Sequence, residues 1–271
     1  WNEVVFDIGL FKKAKGIFKF YLVSTEPEFK LYISPINFDP RQPFFPISYP
    51  RNYSKELEDS IGLYHTQGMP MDTWAVNEGR LTDGPFLEEA ERILRERISM
   101  LDLELGRLKK GVLFCYFETP DIIQHMFWRY QDAEHPLAGK GLSPECKDTI
   151  QKYYKKMDDI LGSVLDRLAK DDTLVVLSDH GFGTFRRAAH VNSWLKLNGY
   201  LALSNPYAES GRELLSDIDW PRTKAYAIGF GAVYINQKGR ERDGIIAAGE
   251  ETERLKKEIT QKLSKWIDEK Y

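Results

Sequence analysis

An α/β fold, its central sheet partly parallel and covered by helices on both faces, is the class this sequence predicts, and three observations carry it. Two runs, GVLFCYF (111–117) and TLVVLS (173–178), are apolar at almost every position, the pattern of strands buried on both faces. Each follows a long segment of helical periodicity that can cover such a sheet. Residues 1–36, by contrast, alternate short β-branched and aromatic runs with Gly and Pro, as an antiparallel strand group does.

The elements follow in order. VVFDIGL, IFKFYLVS and KLYISPI supply the antiparallel strands. Residues 37–85 form a proline-rich insertion (Pro40, Pro43, Pro46, Pro50, Pro70, Pro85) with little sustained periodicity, broken by one short helix near YSKELEDSIG. His65, isolated within it, reads as a polar surface residue. Ala90, Ile93, Leu94, Ile98, Leu101, Leu105 and Leu108 mark one face of a long helix, and Ile150, Tyr154, Met157, Leu161, Leu165 and Leu168 mark another. A short helix near VNSWLKLNG, paired strands near KAYAI and AVYIN, and a charged helix from about Glu250 complete the chain. Residues 86–271 thus read as the α/β core, within one domain spanning 1–271.

Composition excludes several roles. The 38 basic and 41 acidic residues are interspersed and leave a formal net charge of -3, which gives no basic patch for a nucleic-acid polymer. Cys115 lies in an apolar run and Cys146 in a polar loop, so the two cysteines offer neither a disulfide framework nor a thiolate metal site. That usage suits a reducing, cytoplasmic setting. No apolar stretch reaches membrane-spanning length.

The chemistry gathers after the first apolar run. In ETPDIIQH (118–125), Asp121 and His125 stand four apart and share a helix face, while Pro120 suits a first helical turn. The second run ends in LSDHGFG, so Asp179 and His180 emerge at the carboxyl end of a predicted strand, where open α/β sheets place their sites. His190 opens the next helical segment. Taken singly these are a helix cap, a turn and another cap; together they describe a metal site. Imidazoles and carboxylates without thiolate suit zinc first, and also manganese or iron. Asp121, His125 and His190 would hold one ion with an open position, and Asp179 and His180 a second. Two such ions roughly 4 Å apart clamp the attacking and leaving oxygens of a phosphoryl transfer. Arg186 and Arg187 follow the glycine loop, where a phosphate could be contacted.

These motifs resemble the alkaline phosphatase superfamily, in its branch of type I phosphodiesterases and nucleotide pyrophosphatases. YISPINFDP, IGLYHTQGMPMDT, HMFWRYQDAEHP, SDHGFG and IDWPRTKAYAIGFGAVYIN are similar to a group of predicted phosphohydrolases or phosphomutases within it. The resemblance implies an alkaline phosphatase-like fold, two divalent metal ions on the five residues above, and a small-molecule phosphate ester as substrate. It also implies a strand ending in a metal-binding Asp and then a Thr or Ser nucleophile, a segment not found here. VVFDIGL, with Asp7, is the only imitation of it. The expectation is therefore a carboxyl-terminal part, incomplete at its N-terminus, whose nucleophile and remaining ligands come from a preceding part of the same protein, and which is inactive alone. A phosphomutase, a single-metal hydrolase on Asp121, His125 and His190, and a non-catalytic metal-binding module are the rival readings. A sulfatase is disfavoured, since neither cysteine stands in a C-x-P-x-R setting.

Overall fold

A computed structural model describes residues 1–9, 13–139, 143–205, 207 and 215–267. They divide into two compact units, Trp1–Arg186 and Arg187–Tyr271.

In the first unit the amino-terminal strands pair as their alternation predicts. β1 (Asn2–Asp7) and β2 (Lys13–Phe18) are antiparallel with Val4 opposite Gly16, and β5 (Asn37–Phe38) adds to the other edge of β2. Glycine suits position 16, because a Cβ there would lie 2.5 Å from Ile36 Cγ2 and 3.3 Å from the Asn37 carbonyl oxygen. β3 (Phe20–Ser24) and β4 (Lys30–Ile33) form a separate antiparallel pair with an irregularity between Leu22 and Ser24. The proline-rich region carries α1 (Tyr53–Ile61) as expected, and a second short helix, α2 (Thr73–Asn77), capped by the Asp72 carboxylate accepting from Ala75 N–H.

Three helices build the core of this unit. α3 (Asp83–Arg107) buries Phe86, Ala90, Ile93 and Leu94; α4 (Thr119–Phe127) buries Ile122, Ile123, Met126 and Phe127; α5 (Thr149–Leu165) buries Ile150 and Tyr153. These side chains form one cluster, and each fully buried Leu, Ile or Phe contributes about 1.5–3 kcal/mol. Cys146 joins the cluster from a 3₁₀ turn and is buried, not set in an open polar loop.

The two apolar runs behave differently from their expected role. Among the described residues, neither 111–117 nor 173–178 enters a hydrogen-bonded ladder, and the sheets present are small and antiparallel. Val112 is 93% exposed and Val176 72% exposed. A continuous apolar run expresses a demand for burial, but a strand exists only where a second backbone lies alongside to take its N–H and C=O groups. No described segment does so here, and the partly parallel central sheet is not confirmed.

His65 also departs from expectation. It is 2% exposed and sits between two carboxylates of α3, with Nε2 at 2.8 Å from Glu89 Oε1 and Nδ1 at 2.8 Å from Glu96 Oε2. The Trp1 ring meets it edge-on at 4.7 Å, and Lys19 Nζ stands 3.4 Å from Glu89. A lone histidine in a polar stretch carries no sequence signal of carboxylates 24 and 31 residues away.

The second unit pairs β6 (Ala225–Ile228) with β7 (Ala232–Ile235) in an antiparallel hairpin flanked by α6 (Val191–Leu197) and α7 (Glu250–Leu263). Trp194, Leu195, Tyr200, Ala225, Ile235, Leu255 and Ile259 form its own core. Asn236, fully buried, donates to the carbonyls of Trp220 and Thr223 and so ties the hairpin to the segment before it.

Candidate metal centre

α4 is held from both ends. Glu118, buried just ahead of it, accepts from Arg97 of α3, Nη2 to Oε1 at 2.9 Å. Beyond its carboxyl end, Arg129 donates to Asp83 Oδ1 at 2.5 Å and the Tyr130 hydroxyl donates to the same carboxylate. With its apolar face in the core, the helix turns Asp121 and His125 outward on one side. His125 Nε2 lies 3.5 Å from Asp121 Oδ1, so the four-residue spacing brings the two together as predicted.

The glycine loop supplies the next donor. His180 Nε2 lies 3.7 Å from the same Asp121 Oδ1 and 3.7 Å from Asp179 Oδ2. His180 Nδ1 is 2.8 Å from the Gly181 carbonyl, which can only accept. That contact calls for a proton on Nδ1 and turns Nε2 toward the carboxylates of Asp121 and Asp179. The Gly181 carbonyl, then the charges of Asp179 and Asp121, raise the pKa of His180 against a small opposing effect of burial.

Asp121 Oδ1 is the centre of this group and is itself unsatisfied: it is buried and has no hydrogen-bond partner. A buried anionic oxygen without a donor is costly. Two imidazole nitrogens at 3.5 and 3.7 Å are close to the donor separation of about 3.4 Å that a tetrahedral ion with bonds of about 2.1 Å imposes. Asp121, His125 and His180 thus gather around one oxygen the donor types that suit a divalent cation. The cage is not closed: among the described residues no group of three or more His, Cys, Asp or Glu side chains is arranged to hold a metal ion. Asp179 is largely exposed. His190 belongs to the second unit, where it precedes α6 with no side-chain capping bond and an exposed ring.

Arg186 is already engaged. Its Nε and Nη2 donate to the two oxygens of Asp132 at 2.7 and 2.8 Å, and Nη1 donates to Glu134. Arg187 opens the second unit. Two aromatic residues that sequence reasoning passed over line the site: Phe182 meets His125 edge-on at 4.7 Å and lies against Trp128 at 5.2 Å. Nothing local in the sequence marks these pairs, since they join segments more than fifty residues apart.

Imidazole and carboxylate donors on a mixed α/β scaffold are the equipment of the alkaline phosphatase superfamily. Within it, the chain belongs to the family described as type I phosphodiesterase / nucleotide pyrophosphatase, which it matches over residues 12–270. The family comprises hydrolases of phosphate esters and is typically dependent on divalent metal ions. No curated protein and no solved structure matches the chain. No helix among the described residues is long and apolar enough to cross a membrane.

Proposed function

We propose that this chain carries metal ligands of a phosphodiesterase or nucleotide pyrophosphatase site, in which Asp121, His125 and His180 gather a divalent cation, zinc first, with Asp179 beside them. One observation carries the reading: the buried Oδ1 of Asp121, without a hydrogen bond, has two imidazole nitrogens within 3.7 Å of it. A bound ion supplies Lewis-acid polarisation of the phosphoryl oxygens and charge stabilisation in the transition state.

The residues of the chain have distinct tasks in this scheme. Asp121 anchors the ion from the rigid first turn of α4. His125 and His180 present Nε2 to Asp121, the latter ring held by its bond to the Gly181 carbonyl. Phe182 packs against His125 and Trp128 beside the donors. The attacking hydroxyl is assigned to no residue of this chain, so the chain is expected to take up metal without rapid turnover of a chromogenic phosphodiester.

The test is zinc and cobalt(II) titration against a competing chelator, with elemental analysis of protein purified without chelator. The expected result is stoichiometric uptake that falls at least about tenfold in affinity in His125→Ala and His180→Ala. Wild-type protein that binds neither ion above background overturns the reading.

A further inference from the structure

We propose that Asp132 is a positioning residue for the His180 loop, holding it against α4 through Arg186 and Thr184 so that His180 stays within reach of Asp121. The inference rests on the metal-site reading above and adds the device that assembles it.

The argument starts from what the loop lacks. Residues 179–186 belong to no helix or ladder, and Gly181 and Gly183 make their backbone permissive. Such a segment samples many conformations, and a ligand carried on it binds weakly unless something else fixes it. Two contacts do so here. Phe182 lies against Trp128 and His125. Beyond it, Thr184 and Arg186 converge on one carboxylate, Asp132: the Thr184 hydroxyl donates to Oδ2, Arg186 Nε to Oδ2 and Arg186 Nη2 to Oδ1.

Asp132 is suited to hold them. Its side chain is only 8% exposed. Its backbone N–H bonds to the Trp128 carbonyl in the turn that continues α4, so it rides on the element that carries Asp121 and His125. Oδ1 also accepts from the Glu134 N–H, which fixes the carboxylate plane for a two-point fork. The Arg186 guanidinium, followed by the Thr184 hydroxyl, holds the Asp132 carboxyl well below the usual carboxylate range, so the clamp is charged across the working pH. Fork geometry matters because a lysine at 186 would keep the charge and lose the second bond.

The experiment measures two quantities on the whole chain: zinc affinity by chelator competition, and hydrogen exchange of the amides of residues 180–185 in the metal-free protein. Asp132→Ala and Arg186→Lys should each speed exchange in that loop, weaken zinc binding about 10- to 100-fold, and leave the urea midpoint of the first unit near wild type; Asp132→Glu should recover part of the affinity. If Asp132→Ala does not fold, Arg186→Lys decides the matter. Wild-type affinity in these variants, or weakened zinc binding with loop exchange unchanged, overturns the clamp and leaves the metal-site reading standing. A wild-type chain that takes up no zinc overturns that reading, and the clamp's role with it.

Discussion

Replacing His65 tests the buried charge cluster of the first unit most directly. Both ring nitrogens face carboxylates at 2.8 Å, and ionised carboxylates only accept, so each nitrogen must donate and the ring is an imidazolium. Burial pushes its pKa down, but the bonds to Glu89 and Glu96 outweigh burial and raise it. Lys19 Nζ lies 3.4 Å from Glu89 and 3.9 Å from Glu96, so His65 and Lys19 face the two carboxylates in a mostly buried space, with the exposed Arg92 3.9 Å from Glu89 at its rim. His65→Ala removes the most buried of these groups and leaves the two carboxylates with Lys19 and, on the Glu89 side, Arg92 at 3.9 Å.

A hydrogen bond to a charged group is worth about 1.5–3 kcal/mol, and breaking a buried ion pair costs about 3–5 kcal/mol. Glu89 and Glu96 keep side-chain exposures of 24% and 17%, which lets them turn partly to water and moves the expectation to about 3 kcal/mol. For a chain of this size that corresponds to a fall in Tm of roughly 6–12 °C. The sign of the pH dependence follows from the raised pKa. Stabilisation by the imidazolium is complete below the unfolded value of about 6.5 and is lost as pH rises through the folded one. Glu89 is depressed, burial opposing and the His65 bond prevailing, and its contribution is lost only as pH falls into the carboxylate range. Urea unfolding at pH 6 and pH 9 should therefore show a large difference between wild type and His65→Ala at pH 6 and a smaller one at pH 9. A difference under about 1 kcal/mol at pH 6, or one that grows with pH, refutes the reasoning.

Two further outcomes are expected. Asp121→Ala removes a buried oxygen that has no partner, so the metal-free protein should gain about 1 kcal/mol in urea unfolding while losing zinc uptake; a marked loss of stability would mean the oxygen is satisfied after all. Gly16→Ala should destabilise by about 1–3 kcal/mol, since the new Cβ would lie 2.5 Å from Ile36 Cγ2 and 3.3 Å from the Asn37 carbonyl oxygen, and an unchanged urea midpoint would show that the strand shifts freely.

Local order was readable because its causes are local. The 3.6-residue apolar stripe through Ala90, Ile93 and Leu94 specifies α3, Pro120 and the Asp121–His125 spacing specify α4 and the face those two side chains share, and the KAYAI and AVYIN runs specify a hairpin. The candidate donors also stood out, since Asp and His residues closely spaced at a helix start and beside a glycine loop need no knowledge of distant contacts. Cys146 and His65 were misplaced for the opposite reason: burial depends on what covers a residue, and the helical cluster covers Cys146 while α3 supplies the carboxylates around His65, both from elsewhere in the chain.

By itself, then, the sequence determined the helices, the antiparallel strand groups and the set of candidate donors, each set by residues within a few positions of one another. Only the tertiary structure decided that His180 joins His125 at Asp121, that Arg186 is committed to Asp132 across 54 residues, and that the apolar runs 111–117 and 173–178 lack ladder partners among the described residues. The physical reason is common to all three. Pairing between distant segments is a property of the packed chain, in which a fork, a shared oxygen or a ladder forms only when two backbones are brought within a few ångströms, and no run of neighbouring residues encodes that approach.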